Sequence, residues 1–211
     1  MPLRQPRSTG GALLRLAPSF SRLAARTTNA PNTPALRYQD VRNDVSDGDV
    51  LLFCGKPLLA RIVKTFTFGD YSHCGIVASW GGRKMLMHCD LKGGVHSLPV
   101  SAALRTFPGD FEWFAVRPEH RDRLRVSTLV DEGLSQLGQP YSVMQPLRAG
   151  AHVFFGTPRP AAEALHCSGF VARCFRVAGL PLAAEDDCLL SPSDIARSVV
   201  LEARGVIKHA S

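Results

Sequence analysis

The chain has 211 residues, 45% of them apolar, which is enough for one sizeable hydrophobic core but cramped for two domains. Six of its seven net positive charges come from residues 1–39, which hold six arginines and no acidic residue and leave 19 basic and 18 acidic side chains elsewhere. A nearly neutral body argues against nucleic-acid binding as the main function, and the sequence has no run of about 18 apolar residues for a membrane span.

Residues 1–39 are predicted to form a basic, disordered N-terminal tail, followed by a single domain over residues 40–211. Arg-rich, acid-free segments also resemble organellar transit peptides, and composition does not separate the two interpretations. A secretory signal is not expected, because Arg15 and Pro18 interrupt the apolar run. The expected localisation is cytoplasmic, or exported without a Sec-type signal, and organellar import stays open.

The predicted elements of the domain are mostly strands in its first half and helices in its second half. They are a turn and strand at Asp47–Cys54, a helix at Leu58–Phe68, strands at Ser72–Ser79, Lys84–Asp90, Gly94–Val100 and Phe111–Pro118, a helix from about Asp122 to Leu137, a long loop at Leu147–Ala164 and a helix at Cys167–Ala178. The Trp80-Gly81-Gly82 segment predicts a tight turn between two antiparallel strands. This order favours an α+β fold with helices on one side of an antiparallel sheet.

The last predicted helix has a cysteine in its first turn. Apolar residues from Phe170 to Ala178 recur at the spacing of one buried helix face, and Gly179 and Pro181 end the helix. A thiol in the first turn faces unpaired backbone N–H groups and the positive end of the helix dipole, which favour the thiolate. Cys167 is therefore a candidate nucleophile, although most intracellular cysteines are buried core residues.

A catalytic cysteine needs a base, and His73 at the start of a predicted strand is the candidate. Across the predicted hairpin, His88 is expected within one or two pairing steps of His73, and Asp90 shares the face of His88. Because side chains alternate along a strand, each histidine and the cysteine that follows it point to opposite faces. The His73-Cys74 and His88-Cys89 pairs are therefore not expected to converge on zinc, and no metal or cofactor is expected.

Five segments carry a resemblance to a known family, in the order GDVLLFCGKPLLARIVKTFTFGDYSHCGIV, MLMHCDLKGGVHSLPV, LGQPYS, HCSGFVARCFRVAGL and SPSDI. Together they resemble the YiiX-like branch of the NlpC superfamily, which comprises circularly permuted papain-like cysteine hydrolases related to lecithin:retinol acyltransferase-like enzymes. The resemblance covers about Asp47 to Ala196. It implies a permuted papain-like fold with packed helices and the nucleophile at a helix N-terminus, and His73 precedes Cys167 as that branch requires.

The resemblance also implies roles for individual residues. Cys167 matches the nucleophile and His73 the general base, while the third position falls on His88, with Asp90 as a competitor. The expected oxyanion donors are the backbone N–H of Cys167 and the hydroxyl of Tyr71. Two further side chains are candidates for the lining of the cleft, Tyr141 and His96. His166 is expected on the wall of the cleft or in solvent.

The reaction implied by the resemblance is amide hydrolysis through an acyl-enzyme on a small peptide, peptidoglycan or lipid-amide substrate. A cell-wall peptide is the first expectation, with the protein acting as a peptidoglycan endopeptidase or amidase that is exported as a secreted effector. The alternatives are a lipid amide or ester hydrolase, an acyltransferase, and a binding module without catalytic activity. No nucleic-acid partner is expected.

Overall fold

The computed structural model describes residues 34–54, 70–142 and 165–208, which form a mixed α and β fold around one sheet. Its strands are β1 (Ala35–Leu36), β2 (Val50–Phe53), β3 (His73–Trp80), β4 (Arg83–Asp90), β5 (Gly94–Pro99), β6 (Phe111–Val116) and β7 (Leu201–Ile207). Its helices are α1 (Tyr38–Val41), α2 (Val100–Thr106), α3 (Pro118–Arg121), α4 (Val126–Ser135), α5 (Cys167–Val177) and α6 (Pro192–Ala196), with a 3₁₀ turn at Asp187–Leu189. The predicted α+β class is confirmed.

The sheet is mostly antiparallel, and its strands lie in the order β1-β7-β6-β2-β3-β4-β5. Every neighbouring pair is antiparallel except β1 and β7, which are parallel. The β3–β4 hairpin turns at Gly81 and Gly82, whose φ angles of 58° and 71° lie in the left-handed region that glycine adopts readily. The predicted hairpin and its turn are therefore confirmed, with each strand shifted by about one residue at its ends.

Alternating residues of the strands face two separate cores. The apolar face of α5, which includes Phe170 and Phe175, packs on one face of the sheet together with Ile76. α2 packs on the opposite face, where its residues Val100 and Leu104 are buried. The prediction that helices cover only one side is wrong in this respect, because α2 has seven residues and is too short for its periodicity to stand out.

β1 and β7 are strands that the sequence pattern did not predict. The middle of β7 contains the half-buried Glu202 and two consecutive exposed residues, Ala203 and Arg204, so the strand lacks a clean alternation. Ala35 and Leu36 lie in the range expected to be tail, yet they pair with Val206 and Ile207. Gly205 leaves room for this contact, since a Cβ atom there would lie 2.3 Å from the Leu36 side chain.

Three predicted segments lie wholly or mostly outside the described residues: the tail up to residue 33, the helix at Leu58–Phe68 and the loop at Leu147–Ala164. Within the described part of the chain, no helix has the length and apolar character required to cross a membrane.

Candidate active site

The start of α5 is held in place by the residue before it. His166 is the N-cap, and its Nδ1 accepts a hydrogen bond from the backbone N–H of Gly169 at 3.2 Å. Its Nε2–H donates to the carbonyl of Cys188 at 3.1 Å. His166 is 4% exposed, so it is a buried helix cap and does not lie in solvent, one of the two expected positions. It also lies beside Cys167, whose pKa it lowers through a hydrogen bond.

Cys167 is the first residue of α5 and is buried against β3. A hydrogen bond from the Cys74 thiol lowers the pKa of Cys167 well below that of an ordinary thiol, and the charge of His73 lowers it further. Burial opposes both effects. The structure therefore brings the predicted nucleophile and the predicted base together, in surroundings that favour a thiolate.

Two other thiols lie beside Cys167, and the same surroundings act on them in the opposite direction. Burial raises the pKa of Cys74, and its hydrogen bond to Cys167 raises it further. Burial raises the pKa of Cys89 to about 12, to which the charge of Cys167 contributes. Of the three sulfurs, Cys167 is therefore the one whose surroundings favour the thiolate.

His73 contacts His88 across the hairpin. His88 lies opposite Gly75, two residues from His73, which places His73 Nε2 2.9 Å from His88 Nδ1. This is the separation predicted from the sequence. Burial, together with the neighbouring histidines, lowers the pKa of His88 to about 3, so His88 is neutral near neutral pH and can accept a hydrogen bond from a protonated His73.

Aromatic side chains hold the two imidazoles in place. The ring of Phe53 meets that of His73 edge-on at 4.7 Å between centroids, and the ring of Phe107 stacks on His73 at 6.0 Å. Phe107 also contacts His88 at 5.5 Å. Because His73 Nε2 is used by His88, Nδ1 is the ring nitrogen left for Cys167.

Asp90, the competitor for the third position, lies elsewhere. Its Oδ1 accepts hydrogen bonds from the backbone N–H groups of Lys92 and Gly93 at 2.9 and 2.7 Å. Its Oδ2 lies 3.7 Å from Nε2 of His96. The structure thus brings His88, and not Asp90, into contact with His73.

The two tyrosines named from the sequence differ in their contacts. The Tyr71 hydroxyl donates to Oε2 of the buried Glu112 at 2.5 Å, so its single proton is already engaged. Tyr141 pairs with Leu165 in an isolated bridge. Burial raises the pKa of Tyr141, and the charge of Cys167 adds to this, which places the phenol beside the thiols. An oxyanion role for Tyr71 requires its hydroxyl to leave Glu112.

No protein-family model and no curated protein sequence matches the chain. The structure matches that of metalloprotein yiiX from Escherichia coli O157:H7, with a TM-score of 0.56 and 14% sequence identity over 75% of this chain and 95% of that chain. The chain has a YiiX-like fold. At this identity the likeness bears on the fold alone.

The YiiX-like fold brings in two groups that the sequence did not predict as site residues. Cys74 was expected only as a buried thiol, yet its hydrogen bond is the largest influence on Cys167. Glu112 lies on β6 in the row of Leu52 and Cys74, where it receives the Tyr71 hydroxyl. The position of Glu112 within the apolar segment FEWFAV indicates a buried carboxylate from the sequence alone. Its pairing with Tyr71 depends on the order of the strands in the sheet.

Proposed function

We propose that the protein is a cysteine hydrolase that cleaves an amide bond through an acyl-enzyme. One observation carries this proposal: a thiol with a lowered pKa at a helix N-terminus lies beside a histidine that a second, neutral histidine orients. Cys167 is the nucleophile, His73 the general base and acid, and His88 the orienting residue. A cysteine, its base and an orienting group within reach of one another form the usual arrangement for thiol acyl transfer.

The reaction begins with the Cys167 thiolate and a protonated His73. The sulfur attacks the amide carbonyl, and His73 then gives its proton to the leaving amine as the carbon–nitrogen bond breaks. Water, deprotonated by His73, attacks the resulting thioester and releases the acid while Cys167 regains its thiolate. The net reaction consumes one water for each amide that is cleaved.

The tetrahedral intermediate carries negative charge on the former carbonyl oxygen. The backbone N–H of Cys167, at the positive end of the α5 dipole, is the donor that we assign to this oxygen. The order of His73 and Cys167 in the chain, together with the sheet and the packed α5, supports a permuted papain-like arrangement as part of the proposal.

The proposed substrate is a cell-wall stem peptide, the first expectation from the family resemblance. Product release from a purified peptidoglycan tetrapeptide and from a long-chain lipid amide, followed by mass spectrometry, tests this assignment. If only the lipid amide were cleaved, the proposed hydrolase activity would stand, and the proposed substrate would change from a cell-wall peptide to a lipid amide. Tight binding of either compound without any product would favour the binding module instead.

Variants test the catalytic assignment directly. Cys167→Ser and His73→Ala should each reduce turnover at least about 1,000-fold while keeping the wild-type circular dichroism spectrum. Cys174→Ala is the matched control, because it removes a buried thiol from the same helix two turns later. Turnover that persists in Cys167→Ser would overturn the proposal.

The name of the E. coli neighbour calls that protein a metalloprotein, so a metal ion is the cofactor that this likeness suggests for the chain. Among the described residues, His88, Asp90 and His96 offer a donor set whose ligand atoms lie within 4.8 Å of one another. A bound metal ion supplies Lewis acidity and a water of lowered pKa. The proposed hydrolysis is carried by Cys167 and His73 without a step at that ion.

A further inference from the structure

His88 has a buried ring nitrogen that makes no hydrogen bond within the described part of the chain. The side chain is fully buried, and Nδ1 is used by His73, but Nε2 has no partner there. An unpaired polar atom in a packed interior costs about 1–3 kcal/mol, and native proteins rarely keep one without a reason. When His88 donates its Nδ1–H to His73 instead of accepting from it, the Nε2 lone pair is free, and this nitrogen is then a candidate for binding a group from outside the chain.

Two more ligand-type side chains lie next to the His88 imidazole. His96 on β5 is directly opposite His88, and the two ring centroids are 4.2 Å apart. Asp90, two residues along β4, places Oδ2 3.7 Å from His96 Nε2. One ligand atom from each of the three residues lies within 4.8 Å of the others.

The hydrogen bonds that His96 and Asp90 make to the backbone leave one atom of each side chain available to bind a metal ion. The Gly94 carbonyl can only accept, so His96 Nδ1 carries the proton it donates at 3.1 Å, and the Nε2 lone pair is left for a ligand. Asp90 receives Lys92 N–H and Gly93 N–H on Oδ1, which leaves Oδ2. Second contacts of this kind orient histidine and carboxylate ligands in metal sites.

We propose that His88, Asp90 and His96 bind a divalent transition-metal ion, for which zinc is the probe. Two imidazoles and one carboxylate favour zinc or a similar ion over magnesium or calcium, which prefer oxygen ligands. Zinc bonds of about 2.0–2.2 Å place the ligand atoms of a tetrahedral site roughly 3.4 Å apart. Separations of up to 4.8 Å must therefore shorten when the ion binds, and side-chain rotation of the partly exposed Asp90 and His96 can supply this movement.

The surroundings of the site suit an ion that enters from solvent. The His96 side chain is 35% exposed and that of Asp90 is 23% exposed, whereas His88 is buried. Phe107 covers the inner side, beside His88. Three protein ligands with one open side leave a coordination position for water or another small ligand.

The thiols do not belong to the ligand set of this site, although His88 also contacts His73. His88 and Cys89 are neighbours on one strand, so their side chains face opposite sides of the sheet, and Cys89 belongs to the core that contains Cys74 and Cys167. An ion held by the three proposed ligands therefore has no sulfur ligand. The binding measurement needs no turnover, so its outcome does not depend on the proposed hydrolysis.

Zinc and cobalt titrations of the full-length, chelator-stripped protein test the proposal. Zinc affinity is measured by competition with a chromophoric chelator for the wild type, His96→Ala, Asp90→Asn and Cys167→Ser. Asp90→Asn keeps an oxygen for the backbone N–H groups of the turn, so it changes the ligand while retaining the local fold. The matched control is His120→Ala, because His120 lies on α3, outside the site.

We expect one zinc per chain and a cobalt spectrum without a sulfur-to-metal charge-transfer band. Loss of a residue that only hydrogen-bonds a metal ligand typically weakens metal binding roughly 10- to 100-fold. Because His96 is proposed as a ligand itself, His96→Ala should weaken zinc binding by more than this, and Asp90→Asn should also weaken it. His120→Ala and Cys167→Ser should bind zinc like the wild type. The proposal would be overturned if the folded His96→Ala and Asp90→Asn variants bound zinc as tightly as the wild type. A cobalt–thiolate band in the spectrum would also overturn it.

Discussion

Two buried polar clusters in the same sheet differ in how completely they are paired. At the start of β2, the carboxylate of Asp49 accepts hydrogen bonds from Arg121 at 2.6 Å, from Trp113 at 2.8 Å and from the Ser46 backbone at 2.9 Å. On β4, His88 has a partner for one ring nitrogen, and its other nitrogen has none in the described part of the chain.

We interpret this difference as a division of roles, in which the Asp49 cluster contributes to stability and His88 to function. A buried charge whose oxygens are all used ties together elements that are distant in sequence, so the Asp49 cluster stabilises the fold. An imidazole that retains an unpaired nitrogen destabilises the fold, and the orienting and binding roles that we propose for His88 would explain its presence. We therefore expect substitutions in the first cluster to affect unfolding and substitutions in the second to affect chemistry.

Asp49→Ala should have the largest effect. It leaves Arg121, Trp113 and the Ser46 N–H without their common partner, so the free energy of unfolding should fall by about 3 kcal/mol or more. Urea denaturation measures this, with exposed Asp44→Ala as the control. In conditions where the variant is folded, the alkylation rate of Cys167 should equal that of the wild type, and a large change there would remove the distinction between the clusters.

His88→Leu should have the opposite pattern of effects, a change in the reactivity of Cys167 without a loss of stability. It removes the unpaired nitrogen and the partner of His73, so alkylation of Cys167 near pH 7 should slow by about 10- to 100-fold while stability holds or rises by about 1 kcal/mol. Rates from intact mass and urea midpoints on the same samples measure both effects. A strongly destabilised variant with unchanged thiol reactivity would assign His88 to the fold instead.

Two variants, Cys74→Ala and Cys74→Ser, test whether the hydrogen bond from Cys74 stabilises the Cys167 thiolate. Cys74→Ala removes the hydrogen bond to the Cys167 sulfur, so the pKa of Cys167 should rise and its labelling below pH 7 should fall roughly tenfold. Cys74→Ser keeps a donor at the same position and should preserve more of the rate. Equal rates for wild type and Cys74→Ala across pH would show that this hydrogen bond is not important.

Tyr71→Phe should have the smallest effect on turnover. The hydroxyl is engaged with Glu112, so its loss should reduce the free energy of unfolding by about 1–2 kcal/mol and slow hydrolysis less than tenfold. Steady-state kinetics with the substrate that is found to be cleaved measure this effect. A loss of about 100-fold in kcat would instead show that the hydroxyl leaves Glu112 and donates to the oxyanion.

The sequence predicted the parts of the molecule that depend on local patterns. The Gly81-Gly82 turn and the alternation along β3 and β4 placed His88 within reach of His73, and the apolar stripe with its glycine stop defined α5. β7 was not predicted, because its charged residues hide the alternation. The proposed metal site at His88, Asp90 and His96 was not predicted, because only the register of a third strand brings His96 opposite His88.

The same reason explains why the role of Cys74 was not predicted. Its position on the inner face of β3 follows from alternation, but its hydrogen bond to Cys167 depends on where α5 returns to the sheet. Local pattern and the family resemblance therefore indicated the proposed nucleophile and base, and the long-range return of the chain decides which thiol lies beside Cys167.

The most direct test of the central claim is the alkylation rate of Cys167 as a function of pH, in the wild type and in His73→Ala. Intact-mass and peptide analysis after brief iodoacetamide treatment measure it, with Cys174 as an internal reference because burial raises the pKa of that thiol. We predict labelling of Cys167 well below the ordinary thiol pKa, and a shift of its curve to higher pH without His73. Labelling of Cys167 no faster than Cys174, or a curve that does not change in His73→Ala, would contradict the account.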